Sequence, residues 1–287
     1  MSSRSRALAS GVSPEEATEA LEIDLLLAGV ARHHGYDFRG YAPSAMRGRV
    51  RTAMLQEGVR TASALQERVL RDQEALNRFV ESVAVQRIPM FCNPEMYLHF
   101  RREVVPLLRT YPFAGIWVAG CSAGEEVYSM AILLHEEGLL GRCRVYGTDV
   151  TDAVVERARQ GTFALSAMSD FAAAYQRAGG CQDFAGYYRR EGDVAVFDDL
   201  LRRNLIFSRH NLVCDGTFNE FQVVVCRNLV RDFGPQLRAR VQNILHTSVA
   251  RLGILVLGSR ETLRDTAIGE CYRQLGTASV GLYRRMR

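Results

Sequence analysis

The spacing of apolar positions changes twice along this chain, and each change marks a change of architecture. From residue 14 to about 86, apolar side chains recur at helical spacing. Ser13 followed by Pro14-Glu15-Glu16 supplies a capping side chain, a proline and two first-turn acids, which predicts a helix start. The run LEIDLLLAGVARHH (21–34) carries one apolar stripe, and Gly35 is expected to end it. Further helices are predicted at about 43–57, 61–71 and 73–85. From about residue 113, short apolar runs alternate with helical stretches: GIWVAG (115–120), a helix from Ala123 to about Glu137, CRVYGTD (143–149), a helix from Asp152, FQVVVC (221–226), a helix near 235–249, and GILVLG (253–258). This alternation predicts an α/β fold with a parallel sheet and crossover helices. Between about 160 and 210 it breaks. There FAGYYRREGDVAVF and NLIFSRHNL read as short antiparallel strands inserted into the sheet domain.

Composition narrows the chemistry. The 287 residues, 47% apolar and 24% charged, suit one or two ordinary globular domains. All 36 basic side chains are arginine, so Schiff-base and P-loop lysine chemistry is excluded. Codon usage in a GC-rich genome accounts for such a bias. The formal net charge of +4 is too small to indicate nucleic acid, and none is expected as a partner. Arg47, Arg51, Arg60, Arg68, Arg71 and Arg78 decorate the helical region; singly each reads as solvated surface, and together they offer a docking face to an acidic partner. The seven cysteines contain no C-x-x-C pair and the histidines no metal-site spacing, so free thiols in a reducing cytosol are expected, with no metal. There is no signal-peptide apolar region and no run approaching the roughly 20 apolar residues of a span. Cytoplasmic localisation without membrane insertion follows as the expectation.

The stretch VAGCSAGEEVYS (118–129) places glycines between a strand and a helix, where backbone approaches a ligand closely. Gly120 to Gly124 fit G-x-S-x-G, the nucleophile elbow of α/β-hydrolases with Ser122 as nucleophile; they also fit a Rossmann-like cofactor loop. The next strand ends in Asp149, where a carboxylate can accept from both ribose hydroxyls. Neither His210 nor His246 follows a late strand in the way a hydrolase histidine does, so the nucleoside reading is preferred. Glu125 and Glu126 at the pocket mouth would repel a pyrophosphate and suit a ligand with a cationic end, such as the amino group of S-adenosylmethionine. One of the two is accounted for as a first-turn helix acid.

These residues resemble the CheR chemotaxis methyltransferases, which methylate glutamates of chemoreceptors with S-adenosyl-L-methionine and release S-adenosyl-L-homocysteine. The resemblance runs through HHGYDFRGYA (33–42), VAGCSAGEEVYSMAILLHEEG (118–138), GTDV (147–150), HNLV (210–213), FNEFQVVVCRN (218–228) and LGSRETL (257–263). It implies an N-terminal helical domain (1–88), a Rossmann-like class I methyltransferase domain (89–287), and an inserted β subdomain at about 180–210 that in the family can contact the receptor. It implies that Gly120 and Glu126 lie against the methionine part of the cofactor, Asp149 holds the ribose, and Asn211 sits near the adenine. Arg227 and Asn228 line the cofactor and active-site cleft. The implied partner is a chemoreceptor or another acidic protein.

Two active-site positions depart from the family. In Arg87-Ile88-Pro89-Met90-Phe91-Cys92-Asn93-Pro94, Ile88 replaces a threonine and Cys92 an active-site arginine; Gln86 stands in a polar stretch that in the family helps to hold the cofactor. After Arg227-Asn228, Asp232 replaces a tyrosine and is expected to repel a carboxylate substrate. A glutamate is already ionised at neutral pH, so methyl transfer needs alignment more than a base. Losing such contacts costs on the order of a hundredfold in rate. Three activities are consistent with this: glutamate methylation with Arg87 or Arg231 moved into the role, a cofactor-binding regulatory module of impaired activity, or methylation of a non-carboxylate acceptor.

Overall fold

The computed structural model describes residues 13–84 and 88–287, so Gln86 and Arg87 lie outside the described residues. Two compact units result. One is residues 13–84 together with 232–237; the other is 88–231 with 238–287.

The first unit is helical. Helix α1 (Pro14–His34) opens on a complete capping box, Ser13 accepting from the Glu16 amide while the Glu16 carboxylate accepts from the Ser13 amide. It ends at Gly35, whose φ of 79° is the left-handed C-cap conformation. Ile23, Leu26, Leu27 and Val30 are buried, the i, i+3, i+4, i+7 stripe visible in the sequence. Helices α2 (Pro43–Glu57), α3 (Ala62–Arg71) and α4 (Gln73–Ala84) follow, α3 capped by Thr61. Glu57 is buried where the last three helices meet, accepting from Arg78 and pairing with Arg68. The late segment 232–237 joins this unit through backbone bonds from Ala42 N to Asp232 O and from Gly234 N to Gly40 O, both 2.8 Å, and through an edge-to-face Tyr41–Phe233 pair.

In the second unit, helix α5 (Pro94–His99) runs through a π-turn at Phe100–Val104. A seven-stranded sheet follows, with strands in the order β6-β2-β1-β7-β8-β10-β9. Its parallel members are β1 (Ala114–Ala119), β2 (Cys143–Asp149), β6 (Leu205–Arg209), β7 (Phe221–Cys226) and β8 (Val249–Leu257). Helices α6 (Glu125–Glu136) and α7 (Asp152–Gln160) make the first crossovers. Strands β1 and β7 are nearly all buried, which is why they read as continuous apolar runs rather than alternating ones. A hairpin of β9 (Tyr272–Leu275) and β10 (Leu282–Arg285) closes the sheet antiparallel to β8.

The insertion differs from the sequence reading. NLIFSRHNL is not part of it: β6 is the parallel edge strand of the main sheet, in register with β2 from Val145–Leu205 to Asp149–Arg209. The small antiparallel sheet is instead β3 (Thr162–Ala164), β4 (Tyr188–Glu191) and β5 (Val194–Phe197), in the order β3-β5-β4, with helix α8 (Met168–Arg177) beside it. Three residues of β3 are too few to show a period of two, and both segments are short and bounded by turns. Among the described residues no helix is long and apolar enough to cross a membrane.

Candidate functional site

Strand β1 lies between β2 and β7, and the chain leaves the sheet in opposite directions from its two sides. At such a switch point the loops after the strands separate and leave a crevice at the carboxyl ends. Gly120, Asp149 and Arg227 each follow or end one of these three strands, so the topology brings them together.

The loop after β1 is built to approach closely. Gly120 has φ +73°, and a Cβ there would meet Leu229 at 3.2 Å. Its amide and that of Cys121 both donate to Thr148 O, tying the loop to the end of β2. Ser122 also adopts a positive φ of 53°, and its amide donates to Asp149 Oδ2 at 2.9 Å. The Val150 amide donates to Asp149 Oδ1 at 2.8 Å. Asp149 is thus gripped from both sides by main chain, and its carboxylate is oriented before any ligand arrives.

Glu126, in the first turn of α6, is buried and ion-paired to Arg227 Nη1. Tyr97 OH donates to the same carboxylate at 3.3 Å, and Arg227 Nη2 donates to the Cys92 carbonyl at 2.7 Å. Burial works against the Arg227 charge, but the Glu126 carboxylate outweighs it and holds the guanidinium above its ordinary pKa. Burial, and secondarily Glu126, raises the Tyr97 phenol, which stays protonated. Phe91 (φ 52°) and Asn93 (φ 60°) flank Cys92 in left-handed conformations; the turn is pinned by Phe91 N on Ser129 Oγ and Asn93 Nδ2 on Ser279 O. Sparsely populated backbone of this kind clusters at functional sites.

Asn228 follows Arg227 with φ 61°, its amide donating to Glu261 Oε2. Glu261 also accepts from Arg231 N and Gly258 N, and it is buried. Glu261 therefore holds the exit of β7 in place. The sequence reading quoted its motif without giving it a role, and likewise passed over Tyr97; both need the tertiary structure to be seen. Asn211 spends its side-chain oxygen on Val213 N and its amide nitrogen on Cys214 Sγ, shaping the turn after β6. Arg231 is exposed.

Asp232 has a partner that the sequence did not reveal: it pairs with Arg49 within the helical unit, both side chains 14% exposed. The hydrolase reading also fails. Ser122 Oγ is buried with no hydrogen-bond partner among the described residues, while His210 Nε2 is bonded to Gly216 O and its ring packs on Trp117 and Phe218. Cys121 offers no nucleophile either, since burial, then Asp149 and Glu125, push its thiol well up.

Comparison with known proteins decides the family. Residues 89–275 match the model of the CheR methyltransferase SAM binding domain, and residues 21–84 that of the CheR methyltransferase all-alpha domain. The chain belongs to the CheR methyltransferase family. It is 41% identical to "Putative methyltransferase Cher3" of Pseudomonas putida, over 89% of this chain and 93% of that protein. It is 23% identical to a chemotaxis protein methyltransferase of Listeria monocytogenes, over 83% and 88%. An uncharacterised 104.1 kDa protein of Rhodobacter capsulatus is 25% identical over 88% of this chain but only 26% of its own length.

A CheR methyltransferase uses S-adenosylmethionine, and this crevice fits it. Asp149 is pre-oriented at the end of β2, and Gly120 leaves the space a side chain would fill. Two buried polar atoms, Ser122 Oγ and Arg227 Nε, find no hydrogen-bond partner among the described residues. Three acids, Glu125, Glu126 and Asp149, are buried at or just after the ends of β1 and β2, with Glu126 paired to the buried Arg227, which suits a cationic ligand.

Proposed function

We propose that this CheR methyltransferase acts in the cytoplasm on side-chain carboxylates of chemoreceptors, converting glutamates to methyl esters. The observation that carries this reading is Arg227: its guanidinium sits on the Cys92 carbonyl, beside the position where the family's arginine is replaced. S-adenosylmethionine, when bound, supplies a methyl group on a sulfonium centre. Asp149 holds ribose hydroxyls, Gly120 admits the methionine part, and Glu126 faces its amino group. Asn211 lies toward the adenine, and Asn228 lines the cleft beside Arg227. Arg227, paired with Glu126 and bonded to the Cys92 carbonyl, fixes the turn that carries Cys92. Methyl transfer neutralises both the sulfonium and the acceptor carboxylate, so their mutual attraction is lost after transfer, which favours release.

Incubation with labelled S-adenosylmethionine and the organism's own receptors is expected to give base-labile methyl groups. Tight cofactor binding by calorimetry with no labelled receptor would overturn the proposed acceptor. A second reading, a cofactor-binding module of low turnover, is favoured by the thiol of Cys92 standing where an arginine is expected. It requires Cys92→Arg to raise turnover by at least about tenfold; no gain in a folded variant counts against it.

A further inference from the structure

Glu136, the last residue of α6, breaks a local rule. An acid in the final helical turn faces the negative end of the helix dipole, and its side chain here is 1% exposed. Such a placement persists when tertiary contacts require it. Those contacts are dense. Glu136 pairs with Arg101 of the π-turn. It accepts from the Tyr175 hydroxyl, from the Cys181 amide at 3.2 Å and from the Tyr187 hydroxyl at 3.2 Å, and the Cys181 thiol lies at 3.6 Å. Tyr175 is on α8, Cys181 in the loop after it, and Tyr187 just before β4, so three segments of the insertion converge on one carboxylate of the catalytic helix. Arg101 reinforces the junction by donating to Glu137 at 2.8 Å and to Ala178 O at 3.4 Å. Burial pushes the Glu136 carboxyl up, but Tyr175 and Arg101 outweigh it and hold it below its ordinary value.

Helix α6 begins at the cofactor loop with Glu125 and Glu126 and ends at this junction. Strand β4 is an edge strand of the small sheet among the described residues and exposes Arg190 and Arg189, the latter paired with Glu191, which suits a carboxylate-bearing protein. We propose that Glu136 is a positioning residue: it fixes the inserted sheet to the catalytic unit and so sets affinity for the protein acceptor without touching cofactor or substrate. This rests on the proposed transfer to a receptor protein.

The test uses the full chain with Glu136→Gln and the milder Tyr187→Phe, which removes one donor. Both variants are expected to bind S-adenosylhomocysteine within about twofold of the wild type, because the site lies at the other end of α6. Amide exchange over 162–202 is expected to rise by about tenfold or more in Glu136→Gln, and less in Tyr187→Phe, with β1, β2 and β7 unchanged. KM for the receptor should rise while kcat is retained. Unchanged exchange in both variants, or a loss spread evenly over the sheet strands, overturns the proposal. If the wild-type protein methylates no receptor, the proposed acceptor fails, and the exchange pattern alone decides whether Glu136 fixes the insertion.

Discussion

The Glu126–Arg227 pair offers the sharpest test of the site. Glu126→Ala removes the carboxylate and leaves a guanidinium that is 2% exposed, with the Cys92 carbonyl as its remaining acceptor. Tyr97 loses its carboxylate acceptor in the same step. Removing one partner of a buried ion pair costs about 3–5 kcal/mol, because the other charge stays buried without compensation. The surviving Cys92 contact places this case near the lower end, about 3 kcal/mol. Trp117 is the single tryptophan and is fully buried in β1, so its fluorescence reports the sheet unit. In urea, with a slope of about 2–3 kcal/mol per molar, the midpoint should fall by roughly 1–1.5 M. The double variant Glu126→Leu with Arg227→Met should recover most of this, since apolar replacement of both partners is often neutral. A shift below about 0.5 M for Glu126→Ala alone would show that Arg227 is hydrated in solution, and the site as described would be wrong.

Asp149→Ala should weaken S-adenosylhomocysteine binding by about 1–3 kcal/mol, roughly five- to 150-fold, for lost bonds to a charged group; calorimetry showing equal affinity would refute the ribose assignment. Asp232→Tyr, which restores the family residue, should destabilise the helical unit by about 1–3 kcal/mol by leaving Arg49 without its ion partner; circular dichroism melting reads this, and the further change Arg49→Met should return part of the loss. His246 is held below its ordinary pKa by burial and then by Arg285. The folded state therefore binds fewer protons than the unfolded chain. Its contribution is complete above about pH 6.5 and is lost as pH falls below that value toward the folded pKa. Urea midpoints from pH 7 to 5 should decline, and His246→Gln should flatten the decline; an identical slope in the variant would remove His246 from the account.

Much of this was legible from local pattern. The Ser13 cap, the α1 stripe and the Gly35 stop act within a few residues, so spacing reveals them. The β1 loop and Asp149 were legible for a related reason: a strand-loop-helix turn with glycines, followed by a strand ending in acid, is a local signature. The role of β6 was not legible. Leu205–Arg209 is a short strand, and only its register with β2 shows that it closes the parallel sheet rather than joining the insertion. Likewise the partner of Asp232 shows only in the fold, because Arg49 lies 183 residues earlier in the chain.

The sequence by itself determined the family, the N-terminal helices and the main alternation of strands and helices, because periodicity, caps and glycine turns are consequences of neighbours in the chain. Only the tertiary structure decided how charge is spent. The buried carboxylates Glu57, Glu126, Glu136 and Glu261 look like ordinary acids in the sequence. Each is met by donors from 3 to 101 residues away. Whether a charge costs or stabilises depends on the partners that folding brings to it, and most of those contacts lie beyond the reach of any local pattern.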